Sequence, residues 1–188
     1  MNTHIQPGTL LLSVPELQDP NFMHSIVLIG EHSDKGAYGL VLNQTTGLTS
    51  GQIFADREGL SDTSFPVHTG GPVGRDTLQF LHNAPDVVTG GRELADGVYI
   101  GGEFDGLARL LEDEERARER LRLYLGYSGW GAGQLDGEFA IGSWMPATLE
   151  ADIVFSSEST EDAWRRVMRS LGKTGRDLAQ MPPDVTWN

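Results

Sequence analysis

The chain has 188 residues, 38% of them hydrophobic and 22% charged, a length and composition suited to one domain over residues 1–188 with a core of its own. It has no cysteine, which excludes disulfides, thiolate zinc sites, iron–sulfur clusters and cysteine nucleophiles. The formal net charge of −13 opposes nucleic-acid binding, because that affinity comes mainly from Lys and Arg on phosphates.

The N-terminal stretch lacks a basic segment followed by a long apolar one, and Pro15 and Glu16 interrupt it. It reads as mature sequence without an export signal. No apolar run is long enough to span a bilayer. The expectation is a cytoplasmic protein with no membrane association.

Thr9 to Val14 reads as a strand ended by Pro15. Ser25 to Gly30 (SIVLIG) is apolar without a break, the pattern of a strand buried on both faces. Gly36 to Asn43 resumes it after a polar turn, so the two form an antiparallel pair. Thr49 or Ser50 caps a short helix through Ile53 and Phe54, and Asp56 to Ser64 is loop. Val67-His68-Thr69 leads into Gly70-Gly71-Pro72, a strong turn signal. Leu78 to His82 and Gly97 to Gly101 read as strands.

Phe104, Leu107, Ala108 and Leu111 follow helical spacing, so Asp105 to Glu112 is an amphipathic helix, with Glu112 to Glu115 as a solvated turn. From Arg120 the period becomes two. Leu121, Leu123 and Leu125 share one face, and Arg122 and Tyr124 share the other, read as solvated beside the acidic run. Gly126, Gly129, Gly131 and Gly133 then read as a tight strand-to-helix turn anchored by Trp130. A helix over Gln134 to Ala140 follows, then strands at Ile141 to Met145 and Asp152 to Phe155. Ser159 and Asp162 form a capping box for a helix with the stripe Trp164, Val167, Met168 and Leu171. Gly172 ends it, a short helix covers Thr174 to Ala179, and the tail from Met181 is irregular. Strands and helices do not alternate regularly, which favours an α+β fold with a mainly antiparallel sheet.

The segments GTLLLSVPELQDPNF, SIVLIGEHSDKGAYGLVLNQ, VHTGGPVGRDTLQFLH and YLGYSGWGAGQLDGEFAIGSW resemble the YqgE/AlgH family of bacterial proteins, in order and through nearly the whole chain. The resemblance implies an α+β domain in the bacterial cytoplasm whose antiparallel sheet is branched and flanked by helices. It implies little chemistry. One branch of the family carries a name tied to transcriptional control. His24 stands where many members have Arg, and Ser128 where Ala is usual.

Gly126-Tyr127-Ser128-Gly129-Trp130 approaches a nucleophile elbow, but Trp130 occupies the second glycine position of G-x-S-x-G. With Gln134, these glycines and Trp130 read as architecture. Their spacing also fits neither a dinucleotide fingerprint nor a phosphate loop. His24, His32, His68 and His82, with Asp19 and Glu31, show no metal-ligand spacing, so no metal or cofactor is expected. The candidate functional surface is His32 and His82 at strand ends, Asn43 after its strand, and Gly70 and Gly71, whose amides can form an anion nest. The expected function is non-catalytic binding or regulation through a protein partner or a small ligand. The alternatives are a hydrolase or ligand-binding enzyme using His32, His82 and Asn43, and a transcriptional regulator, disfavoured by the charge.

Overall fold

The computed structural model describes residues 4–17 and 19–181. Among these, the strands are β1 (Thr9–Ser13), β2 (Ile26–Ser33), β3 (Gly36–Val41), β4 (Thr45–Thr49), β5 (Pro66–Thr69), β6 (Val73–His82), β7 (Arg92–Ala95), β8 (Val98–Ile100), β9 (Leu121–Gly131) and β10 (Trp144–Thr148). The helices are α1 (Ser50–Ile53), α2 (Phe104–Leu111), α3 (Glu114–Ala117), α4 (Gln134–Ala140), α5 (Ala151–Val154), α6 (Thr160–Ser170) and α7 (Gly172–Leu178). The sheet runs β10-β1-β2-β3-β9-β6-β8-β7, with β4 and β5 branching from it through β9. Every pairing is antiparallel except that of β5 with β9. The α+β class and the branched antiparallel sheet are therefore as expected. The tail beyond Met181 lies outside the described residues.

The unbroken apolar runs have a direct cause. In β1 and β2, Leu10, Leu12, Ile26 and Leu28 face one core cluster with Trp164, Val167 and Met168 of α6. Leu11, Val27 and Ile29 face the other way, with Trp130, Trp144 and Leu135 of α4. Both faces of these strands are covered, so neither parity is polar. A third cluster sets Val67, Leu121 and Leu123 against Leu107 and Leu111 of α2. The stripe read on α6 is its buried face, and Ser159 accepts the Asp162 amide at its start.

Four expectations are corrected. The glycine-rich stretch is not a turn after Leu125: β9 continues to Gly131, because β3 pairs with residues 128–131 and draws them into the sheet. The bend comes at Gly133, at φ +69° before α4. Asp152 to Phe155 is not a strand: Asp152 to Val154 lie on α5, a single turn too short to show a period, and Phe155 is its C-cap. Glu112 to Glu115 is not simply a turn, since α3 begins at Glu114 with Asp113 accepting the Arg116 amide. Arg122 and Tyr124 are buried, not solvated, because that face of β9 is covered. Strands β4 and β7, short and largely polar, were not anticipated.

Candidate functional site

β9 has a different neighbour at each end. Residues 123–125 run parallel to β5, residues 128–131 pair with β3, and β6 pairs along residues 121–127. To pass from β5 to β6 the chain must cross β9, and it does so at Gly70-Gly71 over Gly126. The Gly70 amide donates to Leu125 at 2.9 Å. Its carbonyl accepts the Val41 amide at 2.8 Å and the Ser128 hydroxyl at 3.1 Å. A Cβ on Gly70 would lie 2.4 Å from the Gly126 oxygen, and one on Gly71 would lie 2.3 Å from the Tyr127 carbonyl. These residues are glycine because main chain passes against main chain. Ser128 is consumed in holding the crossing and makes no hydrogen bond to an imidazole among the described residues.

Beside the crossing lies an open cleft of about 390 Å³, lined by Asn21, Gln44, Thr46, Leu48, Thr69, Gly71 and Arg75 among others. Gln44 donates to the Asn21 carbonyl at 3.2 Å and to Ser25 Oγ at 3.0 Å, which fixes its carboxamide. Thr46 donates to the Val67 carbonyl at 2.7 Å. Arg75 is exposed at the rim and makes no salt bridge among the described residues. Gly71 is thus the one anticipated candidate that borders this space.

The other candidates do not converge. His32 pairs with Ala37, which pairs with Trp130, whereas His82 pairs with Leu121. Nine positions of β9 separate those two registers, about 30 Å along a strand. His32 Nε2 sits 3.1 Å from Asp136. His82 is fully buried; Nδ1 accepts the Ala84 amide at 3.1 Å, so Nε2 carries the proton donated to the Gly101 carbonyl at 3.0 Å. Burial lowers the pKa of His82. Asn43 is a clamp: Oδ1 accepts from the Ile26 amide at 2.9 Å, and Nδ2 donates to the carbonyls of His24 at 2.9 Å and Thr160 at 2.8 Å. His24 stacks on Trp164 at 3.9 Å, with Nδ1 2.6 Å from Glu161. Burial would raise the Glu161 carboxyl, but hydrogen bonds from His24 and Arg165 hold it below its ordinary value. No group of three potential metal ligands occurs among the described residues.

The glycine–tryptophan motif also packs. Trp130 is 6% exposed. Gln134 Oε1 accepts the Gly131 amide at 3.0 Å, closing the corner between β9 and α4. Gly129 and Gly131 are exposed on the strand end.

Sequence reasoning missed a second cleft, of about 470 Å³, between β5, α3 and residues 155–158. His68 and Arg122 both line it. The Arg122 guanidinium donates to the carbonyls of Arg118 at 2.5 Å, Leu121 at 2.8 Å and Ser156 at 2.9 Å. Burial, then the Arg122 charge, push His68 down to about 4, with the Leu123 backbone pulling weakly the other way. Burial pushes the Tyr124 hydroxyl up, against the pull of Arg122. The available signal was an arginine alternating with leucines on a strand, which period alone cannot assign to solvent or interior.

Known proteins bear on these observations. A protein of the UPF0301 group from Chlorobium limicola is 38% identical over 178 residues, covering 95% of this chain and 93% of its own. Another from Cytophaga hutchinsonii is 34% identical over 182 residues, covering 96% and 98%. The fold is shared with the crystal structure of protein DIP2367 from Corynebacterium diphtheriae, at a TM-score of 0.75 and 19% identity over 96% of this chain and 95% of that one. It is also shared with the solution structure of the AlgH protein from Pseudomonas aeruginosa, at a TM-score of 0.69 and 24% identity over 97% and 98%. The family model described as DUF179, AlgH-like, matches residues 10–176. The chain therefore belongs to the AlgH-like family.

Proposed function

We propose that this chain is a non-catalytic cytoplasmic binding protein that takes a small polar ligand in the cleft beside the Gly70-Gly71 crossing. The observation that carries the reading is convergence: Asn21, Gln44 and Arg75, from three separate segments, meet at one cleft whose wall includes the crossing glycine Gly71. A volume of about 390 Å³ lies within the range of small-molecule sites, and a few fixed polar groups over apolar Leu48 and Leu125 suit such a ligand. The catalytic alternative is weakened by the separation of His32 from His82 and by the commitment of Asn43 to three backbone groups. No helix among the described residues is long and apolar enough to cross a membrane.

The test is an NMR titration of the full chain with a library of organic acids, nucleosides and sugars, read at the Gln44 side-chain amide, the Gly71 amide and Arg75 Nε. Saturable shifts confined to these groups are expected, and Arg75→Ala should weaken an anionic hit about tenfold. A library that leaves all three signals still would overturn the small-ligand reading.

A further inference from the structure

Arg122 is out of keeping with its strand. It stands between Leu121 and Leu123 with 6% of its surface exposed. Its guanidinium meets three main-chain carbonyls and, among the described residues, no carboxylate. Burying a cation is costly unless an anion meets it. The charge acting most on Arg122 apart from Tyr124 is that of Arg118, which has the same sign. Three of the five guanidinium N–H groups are engaged, leaving two for another acceptor. Across the parallel pairing of β5 and β9, His68 offers a second group: its ring lines the cleft, and its buried Nδ1 makes no hydrogen bond of ordinary geometry, with only a looser pull from the Leu123 backbone on the ring. Arg122 and His68 border the same cleft of about 470 Å³.

The rim of that cleft is mainly acidic, with the exposed Arg118 as a cation among its carboxylates. Glu115 and Glu119 are exposed and form no salt bridge among the described residues. Glu158, also on the rim, is already held by Arg166 at 2.8 Å. Pro66 and Phe155 supply apolar wall between the two zones. A polyanion such as phosphate would meet the acids on entering, and a simple cation would meet Arg118 on the rim and Arg122 at the floor.

The geometry points to this cleft as a binding site for a zwitterion of the amino-acid class, its carboxylate turned inward to Arg122 and His68 and its ammonium outward to Glu115 and Glu119. A guanidinium fork and an imidazole N–H are suited to a carboxylate, and unengaged rim carboxylates to an ammonium. The assignment stands apart from the cleft at the strand crossing and does not depend on a ligand there.

The experiment is an NMR titration of the full chain with L-alanine, L-leucine and L-lysine, which share the α-carboxylate and α-ammonium. Acetate, methylammonium and inorganic phosphate serve as part-ligands, and the His68 ring and Arg122 Nε signals are read. At least one amino acid should shift both signals saturably, with acetate about tenfold weaker and the other two inert. Because Arg122 variants risk misfolding, the decisive protein is E115Q/E119Q, altered only on the exposed rim. It should lose about tenfold in amino-acid affinity and none in acetate affinity. Amino acids no tighter than acetate, phosphate as the tightest probe, unchanged amino-acid affinity in the rim variant, or no shift with any probe would each overturn the assignment.

Discussion

Trp130 and Trp144 stand edge to face, ring centroids 6.2 Å apart, and both give their indole N–H to one oxygen of Glu138, at 3.1 and 2.9 Å. The other oxygen accepts from Gln134 at 3.1 Å. One carboxylate on α4 thereby ties β9 to β10, two strands at distant positions in the sheet. Glu138→Ala leaves two indole donors without an acceptor and should lower stability by about 2–6 kcal/mol, from about 1–3 kcal/mol per stranded buried donor. Glu138→Gln keeps an acceptor oxygen and should lose less than half as much. Urea denaturation of the two variants beside the parent checks both statements, and equal losses would mean that the indole bonds contribute little.

The crossing glycines should tolerate nothing larger. Gly70→Ala and Gly71→Ala place a methyl against the main chain of Gly126 and Tyr127, and the expected outcome is insoluble protein or a loss of about 3 kcal/mol or more. Gly142→Ala is the control, since it has φ +80° but open space around it. Backbone strain alone should cost it about 1 kcal/mol. Chemical denaturation curves rank the three.

Asn43 should behave as a structural residue. Asn43→Asp removes the donors to His24 and Thr160 and sets a carboxylate against two carbonyls, at an expected cost of about 3 kcal/mol. The loss should appear in thermal unfolding of the whole domain. Amide exchange should rise first at the start of α6, where the Thr160 carbonyl loses its donor, while the Ile26 amide keeps its acceptor oxygen.

The pH dependence of stability follows from His68, faced by Arg122 and Tyr124 on β9, Arg118, Glu115 and Glu119 around α3, and Glu158 opposite. Its pKa falls from 6.5 when unfolded to about 4 when folded. Between these values the unfolded chain binds the proton and the folded chain does not. The His68 contribution to stability therefore falls as the solution is acidified through that window and levels below it, by about 3 kcal/mol. Glu161, held low by His24 and Arg165, acts in the same direction at more acid pH. His68→Asn should remove the His68 share of the slope between pH 6.5 and 4, leaving the share due to the lowered His82 and the more acid limb in place, measured by urea midpoints across pH.

Much of the fold was legible because one local rule decided each part. Leu10 to Leu12 and Ile26 to Ile29 are apolar on both parities because both faces are covered. The last long helix announced itself by Ser159 and the stripe from Trp164. The glycines of β9 misled because the same residue serves a turn and a backbone crossing, and only the partner strands decide between them. Arg122 misled for a related reason: period two separates two faces without saying which is wet. The anticipated site fared unevenly, with Gly71 beside a cleft, His82 and Asn43 absorbed into backbone bonds, and His68 passed over because its spacing from the other histidines matches no ligand pattern.

The position of β9 in the chain sets an order of events during synthesis. β3, β5 and β6 all hydrogen-bond to it, yet all precede it by at least 39 residues, from His82 to Leu121. On the ribosome, those three strands emerge with their edges bare and stay so until residue 131 has cleared the exit tunnel. Assembly must then close distant contacts together, which is intrinsically slow. A nascent chain halted before Leu121 should bind trigger-type chaperones and resist compaction, and release past Gly131 should let it collapse in one cooperative step.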